Sequence, residues 1–249
     1  MKPRPDDPKP LPATSALAEL APVHLSPTQV SLLARYIDLF AAWNKQFGFS
    51  RYSRPDSIAA NLIYPSLSLI PLLPPTGSVL DLGSGPGIPG VPLSIACPDL
   101  SVTCVDSREP SVEFVKACRS ALSLRNLDTI LGRAEILALD PNLRDRFDLV
   151  LSRALAPLPT VVEIASAFLK PDGLILVHAV KTVSSSLDRM NSRILAVGTL
   201  FDRCGSILTP LFPDRPVHFG LFRKIAETGP QYPRSWNKMK THPLWKTGA

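Results

Sequence analysis

Two rhythms divide the chain. Between residues 30 and 43, apolar residues recur at helical spacing: Val30, Leu33, Ile37 and Phe40 form one stripe, with Leu32, Tyr36, Leu39 and Trp43 beside it. Ser26-Pro27 followed by Gln29 supplies an N-cap, a proline at the first helical position and a capping box, so a helix is predicted from there to about Gln46. A second helical segment is predicted from Pro55 to about Ile70, shortened or kinked by Pro65. From Ser78 the pattern alternates: strand SVLDLG, helix Pro89 to Ala96, strand SVTCVD, helix Glu109 to Leu124, then the short strand DTILG. DLVLSRA, a helix from Thr160 to Leu169 and the strand GLILVHAV continue it. CGSILTP and VHFGLFRKI read as two late strands joined by a proline-rich turn, FPDRP, forming an antiparallel hairpin. Repeated strand–helix units imply an α/β fold with a mostly parallel sheet covered on both faces. The expected division is a proline-rich, disordered tail (1–24), an N-terminal helical cap (25–74), the sheet domain (75–226) and a basic C-terminal tail (227–249).

Composition narrows the setting. The 249 residues are 45% hydrophobic, enough for one sizeable core. The longest apolar runs are strand-length, so no membrane span is expected, and the N-terminus has no apolar stretch of a secretory signal. Cys97, Cys104, Cys118 and Cys204 lack paired spacing; free thiols in the cytoplasm and no metal site follow. The net charge of +6 is concentrated at the end: Arg223, Lys224, Arg234, Lys238, Lys240 and Lys246 face one acid, Glu227. That segment suits phosphates, with a solvated tail as the alternative. Tyr232 and Trp236, interleaved with those charges, are read as packing against the domain, with base stacking as the alternative.

DLGSGPGIPG, residues 81–90, carries the chemistry. From Gly85 it matches the G-x-G-x-x-G of a dinucleotide site; from Asp81 it matches the D-x-G-x-G-x-G of an S-adenosyl-L-methionine loop. Asp106, ending the second strand, suits ribose hydroxyls in either reading. Three features decide for S-adenosyl-L-methionine. Asp81 can bond the loop and face a sulfonium, whereas it would repel a pyrophosphate. Pro86 and Pro89 remove amide donors that a pyrophosphate needs. The late hairpin fits the antiparallel end of a methyltransferase sheet.

Past the loop, GSGPGIPGVPLSIACPDLSVTCVDS, GRAE (132–135), FDLVLSRALAPLPTVVE (147–163) and LKPDG (169–173) resemble the ribosomal RNA small subunit methyltransferase G family, also called glucose-inhibited division protein B. AAWNKQF upstream and YPRSWNKMKTHPL downstream extend the resemblance over roughly residues 25 to 245. It implies a class I methyltransferase fold with a seven-stranded, Rossmann-like sheet. It also implies methyl transfer from S-adenosyl-L-methionine to N7 of a guanine in 16S rRNA, with the small subunit or its RNA as partner and the protein a cytoplasmic monomer. By matched position, Gly83, Ser84, Gly85 and Gly87 would wrap the methionine end, with Ile88 closing the loop. Asp106 and Ser107 would meet the ribose, and Ala134 and Glu135 would frame the adenine. Arg153 would stand where cofactor and target base meet, as both cofactor-binding and catalytic residue. A divergent methyltransferase of the same fold, acting on another RNA site or a small molecule, is the alternative; a non-catalytic relative and a nicotinamide enzyme rank below it.

The chain departs from the family on the expected RNA side. Gly48-Phe49-Ser50 replaces N-L-T, and residues 61–66, Asn-Leu-Ile-Tyr-Pro-Ser, replace R-H-I-x-D-S. Glu109, Pro110, Ser111 and Glu113 follow Arg108 where basic residues are usual. Arg51, Arg54, Lys181 and the tail residues Arg234, Lys238 and Lys240 are the candidates to compensate. His178 and His218 are read as packed or edge histidines.

Overall fold

The structure, a computed structural model, describes residues 24–178, 187–209 and 212–246. The tail before residue 24 and Lys181 lie outside the described residues. Helix α1 (Pro27–Phe47) begins as the capping box requires: Ser26 Oγ accepts the Gln29 N–H, and Gln29 Oε1 accepts the Ser26 N–H. Gly48, at φ 62°, ends it in the left-handed region that glycine adopts without strain. Its buried face holds Leu33, Tyr36, Ile37 and Phe40.

Pro65 acts one turn earlier than a kink at its own position. The segment runs as α2 (Pro55–Ile58), a π-helical turn (Ala59–Ile63) and α3 (Tyr64–Leu67), with a short 3₁₀ turn (Ile70–Leu72) beyond. Proline has no N–H to return to the Asn61 carbonyl, and the wider turn absorbs the missing bond.

Seven strands follow: β1 (Gly77–Leu82), β2 (Leu100–Asp106), β3 (Leu127–Leu131), β4 (Phe147–Arg153), β5 (Leu169–His178), β6 (Thr199–Thr209) and β7 (Phe212–Lys224). Their order is β3-β2-β1-β4-β5-β7-β6, parallel throughout except for β7, which pairs antiparallel with both β5 and β6. This is the class I methyltransferase sheet. Between the strands lie α4 (Gly90–Ala96), α5 (Glu109–Ala121), α6 (Ala134–Leu137), α7 (Leu158–Phe168) and α8 (Leu187–Ile194). One apolar cluster lies between α1, the α2–α3 segment, α4, α5 and one sheet face, and a second gathers around α7 and the other face. The strand order reverses between β1 and β4, so the crevice for a ligand opens at the carboxyl ends of these strands.

Several boundaries differ from expectation. FPDRP is not the hairpin turn: β7 begins at Phe212, and three residues more on β7 than on β6 separate the pairs Thr209↔Phe212 and Ile207↔Val217. A bulge accommodates prolines that a regular ladder rejects. Helix α7 starts at Leu158 rather than Thr160, because Pro159 suits a first turn whose N–H groups are unpaired anyway. Helix α8, missed in the sequence, has its first residues beside the undescribed stretch 179–186.

The basic tail is in large part structural. Arg144 donates to the carbonyls of Thr228, Gly229 and Tyr232, gripping the chain as it leaves the sheet. Lys224 is buried against Asp145 and the carbonyls of Ser166 and Leu169. Arg234, expected to meet RNA, is instead turned inward. Its Nε, Nη2 and backbone N–H all donate to Glu163, which is fully buried on α7. Helix α9 (Trp236–Thr241) follows, and Tyr232 and Trp236 pack against the second apolar cluster as read from sequence. Removing one partner of a buried pair strands the other charge. Arg234→Ala is therefore expected to lower stability by about 3 kcal/mol in urea unfolding; a loss no larger than that of an exposed pair would refute this anchoring.

Candidate active site

The loop from Asp81 to Gly90 spends its amides inside the protein. The N–H groups of Gly83 and Ser84 donate to the Val105 carbonyl at 2.9 and 3.0 Å, and Ile88 N–H to Ser84 at 2.9 Å. Gly85 N–H donates to Asp106 Oδ2 at 2.8 Å and Gly90 N–H to Asp81 Oδ2 at 2.7 Å. Pro86 and Pro89 have no amide hydrogen. The loop thus keeps almost no donors for a pyrophosphate. Gly83, Gly85 and Gly87 have φ of 71°, 53° and 75°, and a Cβ at Gly83 would lie 2.6 Å from Leu155. A Cβ at Gly85 would meet no protein atom within 4 Å, which marks the loop's open face. Helix α1 braces the loop from behind, where the Tyr36 hydroxyl donates to the Pro86 carbonyl at 2.9 Å.

Beside the loop, a cavity of about 210 Å³ collects Gly83, Asp106, Ser107, Ala134 and Glu135. Five positions assigned from sequence thus share one pocket. Ser84, Gly85, Gly87 and Ile88 lie along the loop outside its walls, with Ser84 and Ile88 buried. Asp106 also takes the Arg108 N–H on Oδ1 at 2.8 Å, so both oxygens are oriented by backbone. Sequence reasoning missed Trp236, which lines this cavity beneath Arg133, whose guanidinium carbon lies 5.1 Å from the ring centroid. No local signal places Trp236 there; only the folding-back of α9 does.

Arg153 ends β4 outside this cavity, and its side chain is no surface ion pair. Nη2 donates to the Asn61 carbonyl at 3.0 Å, the carbonyl to which Pro65, four residues on, has no N–H to give. The altered element at 61–66 thereby holds the arginine. Asn44, from the W-N-K element, fixes the neighbouring segment by bonding the carbonyls of Ser50 and Tyr52 and the Ser50 N–H. Asp81 does not face an open sulfonium site: it is fully buried behind the loop. Among the described residues, no hydrogen-bond partner reaches Asp81 Oδ1, Arg153 Nη1 or His178 Nδ1. Burial raises the Asp81 carboxyl to about 7, against the pull of the Gly90 N–H and the Arg153 charge. Burial and the same charge push His178 down to about 3, keeping it neutral. Burial also lowers the pKa of Arg153, with Asp81 opposing.

The family model described as rRNA small subunit methyltransferase G matches residues 29–197. The chain belongs to this family. A ribosomal RNA small subunit methyltransferase G from Lactococcus lactis subsp. lactis (strain IL1403) is 30% identical over 233 residues, covering 92% of this chain and 97% of the relative. That of Alkaliphilus oremlandii (strain OhILAs) is 28% identical over 224 residues, covering 89% and 93%. As a member of the methyltransferase G family, the protein is an S-adenosyl-L-methionine-dependent enzyme. The amide-poor loop and the walled cavity beside Asp106 fit that cofactor. Among the described residues, no group of three or more His, Cys, Asp or Glu could hold a metal, and no helix is long and apolar enough to cross a membrane.

Two predictions follow from these groups. Trp236→Ala is expected to weaken S-adenosylhomocysteine binding in calorimetry and Trp236→Phe to restore most of it; equal affinity in all three proteins would remove Trp236 from the site. Asp81 titrates near 7 folded and near 3.8 unfolded, so its contribution to stability is lost as pH rises through about 7. His178, near 3 folded and 6.5 unfolded, stabilises above pH 6.5 and loses that contribution as pH falls. The slopes oppose each other between about pH 4 and 6.5. Relative to the parent, the thermal midpoint of Asp81→Asn should climb with pH across that interval, while that of His178→Gln should fall. Parallel curves would show that neither group titrates as its burial demands.

Proposed function

We propose that this protein transfers the methyl group of S-adenosyl-L-methionine to N7 of a guanine in small-subunit ribosomal RNA, working as a cytoplasmic monomer. The observation that carries the reading is the buried, half-partnered guanidinium of Arg153, in a chain whose family acts on this RNA. Bound S-adenosyl-L-methionine supplies an electrophilic methyl on a sulfonium sulfur. In our reading Gly83, Ser84, Gly85, Gly87 and Ile88 hold its methionine end. Asp106 and Ser107 hold the ribose, and Ala134, Glu135 and Trp236 enclose the adenine. Residues 25–74 brace the loop, 75–226 carry the sheet and the tail from 227 closes the adenine side.

Guanine N7 has an in-plane lone pair that is free at neutral pH, so no side chain has to remove a proton. What the chain must provide is alignment, a separation of roughly 3–3.5 Å between nitrogen and methyl, and exclusion of water. Arg153 is suited to the first task. One end of its guanidinium is fixed on the Asn61 carbonyl; Nη1 is shut off from solvent without a hydrogen-bond partner, and in our reading it turns to an acceptor on the base once the RNA is seated. Neutral His178 adds no positive charge beside the sulfonium.

The test is methyl transfer from labelled cofactor to small subunits and, in parallel, to deproteinised rRNA, both lacking the modification. Label at one guanine that borohydride and aniline cleave is the expected result; label elsewhere, or none, would overturn the target. Arg153→Ala should lower the rate about 100-fold through lost alignment. Pro65→Ala, which returns an amide that competes for the Asn61 carbonyl, should lower it by a smaller factor.

A further inference from the structure

The indole of Trp236 belongs to two cavities. On one side is the pocket beside Asp106; on the other is a groove of about 440 Å³ walled by Pro157, Pro159, Met239 and Trp245. Lys240 and Lys246 also line the groove and are exposed, and no acidic residue lines it. The groove begins where the chain leaves β4. Arg153 ends that strand, Leu155 lines the cofactor cavity, and Pro157 and Pro159 enter the groove wall.

We propose that this groove takes an unstacked base of the substrate RNA strand beside the methylated guanine, resting on the reading of rRNA as substrate. Flat aromatic and proline walls offer stacking surface to any base, and lysines at the edge meet the phosphates on either side. A purely apolar partner would leave both ammonium groups without counter-charge. The charge that Arg234 withdraws into the fold is thus supplied by Lys240 and Lys246. Because Trp236 forms a wall of both cavities, the same ring touches the cofactor's adenine side and the RNA groove.

The full-length protein is titrated with a short, fluorescently labelled single-stranded oligouridylate while tryptophan emission is followed. Binding should quench the emission. Trp245→Ala should weaken it about tenfold, and Trp245→Phe should recover most of the loss. The double variant Lys240→Gln/Lys246→Gln should reduce the slope of log affinity against log salt by roughly 1.4. Calorimetry with S-adenosylhomocysteine should give the parent affinity for Trp245→Ala, which also shows that the variant is folded. With small subunits, its KM should rise while kcat holds. Oligouridylate affinity unchanged in Trp245→Ala and Trp245→Phe would overturn the groove. So would quenching by a synthetic peptide of the proline-rich residues 1–23 in place of the RNA. If the parent quenches with RNA but methylates no rRNA, the target reading fails and the groove stands.

Discussion

The glycine loop is held almost entirely by the protein itself, and the rest of the site depends on that constraint. Gly83 and Ser84 are tied to β2, Gly85 to the carboxylate that ends β2, and Gly90 to the carboxylate buried in β1. Helix α1 adds the Tyr36 bond to Pro86 and caps two neighbouring helices: Gln29 bonds the last carbonyls of α4, and Arg35 reaches the Ala121 carbonyl ending α5. A loop with its donors consumed cannot grip a diphosphate, but it can present a shaped backbone surface to a ligand whose own charge is positive. The second acid, Asp81, is a structural anchor rather than a contact on the open face.

The same economy appears at Arg153. Where the family resemblance leads one to expect R-H-I-x-D-S, residues 61–66 carry no charged side chain. Asn61 turns its amide back onto the Ser57 carbonyl, and Leu62 is buried in the core. What remains is a main-chain oxygen, released by a proline and turned toward the guanidinium. A carbonyl dipole holds an arginine without neutralising it, so the positive charge continues to act on Asp81 and His178.

Much of the fold was legible because local signals carried it. The capping box at Ser26 and Gln29, the alternation from Ser78 onward and the glycine spacing each rest on neighbours in sequence, and the structure agrees with them. The parts that were not legible rest on distant partners. Nothing near Arg234 announces that Glu163 will bury it, and nothing near Trp236 points to Asp106. FPDRP has every mark of a turn, yet the strand continues through it because a bulge relieves the ladder. Pro65 gave the right warning at a displaced position, since the bond it deletes belongs to the residue four before it. At the site, the positions that line the cavity follow strand ends and could be counted off; the wall contributed by α9 could not.

That wall also orders events in time. A ribosome emits the loop, Asp106 and the Ala134–Glu135 turn long before Trp236, which follows β7, the last strand to enter the sheet in chain order. The nascent chain can shape most of its binding pocket early, but the final side is laid down after the sheet is complete.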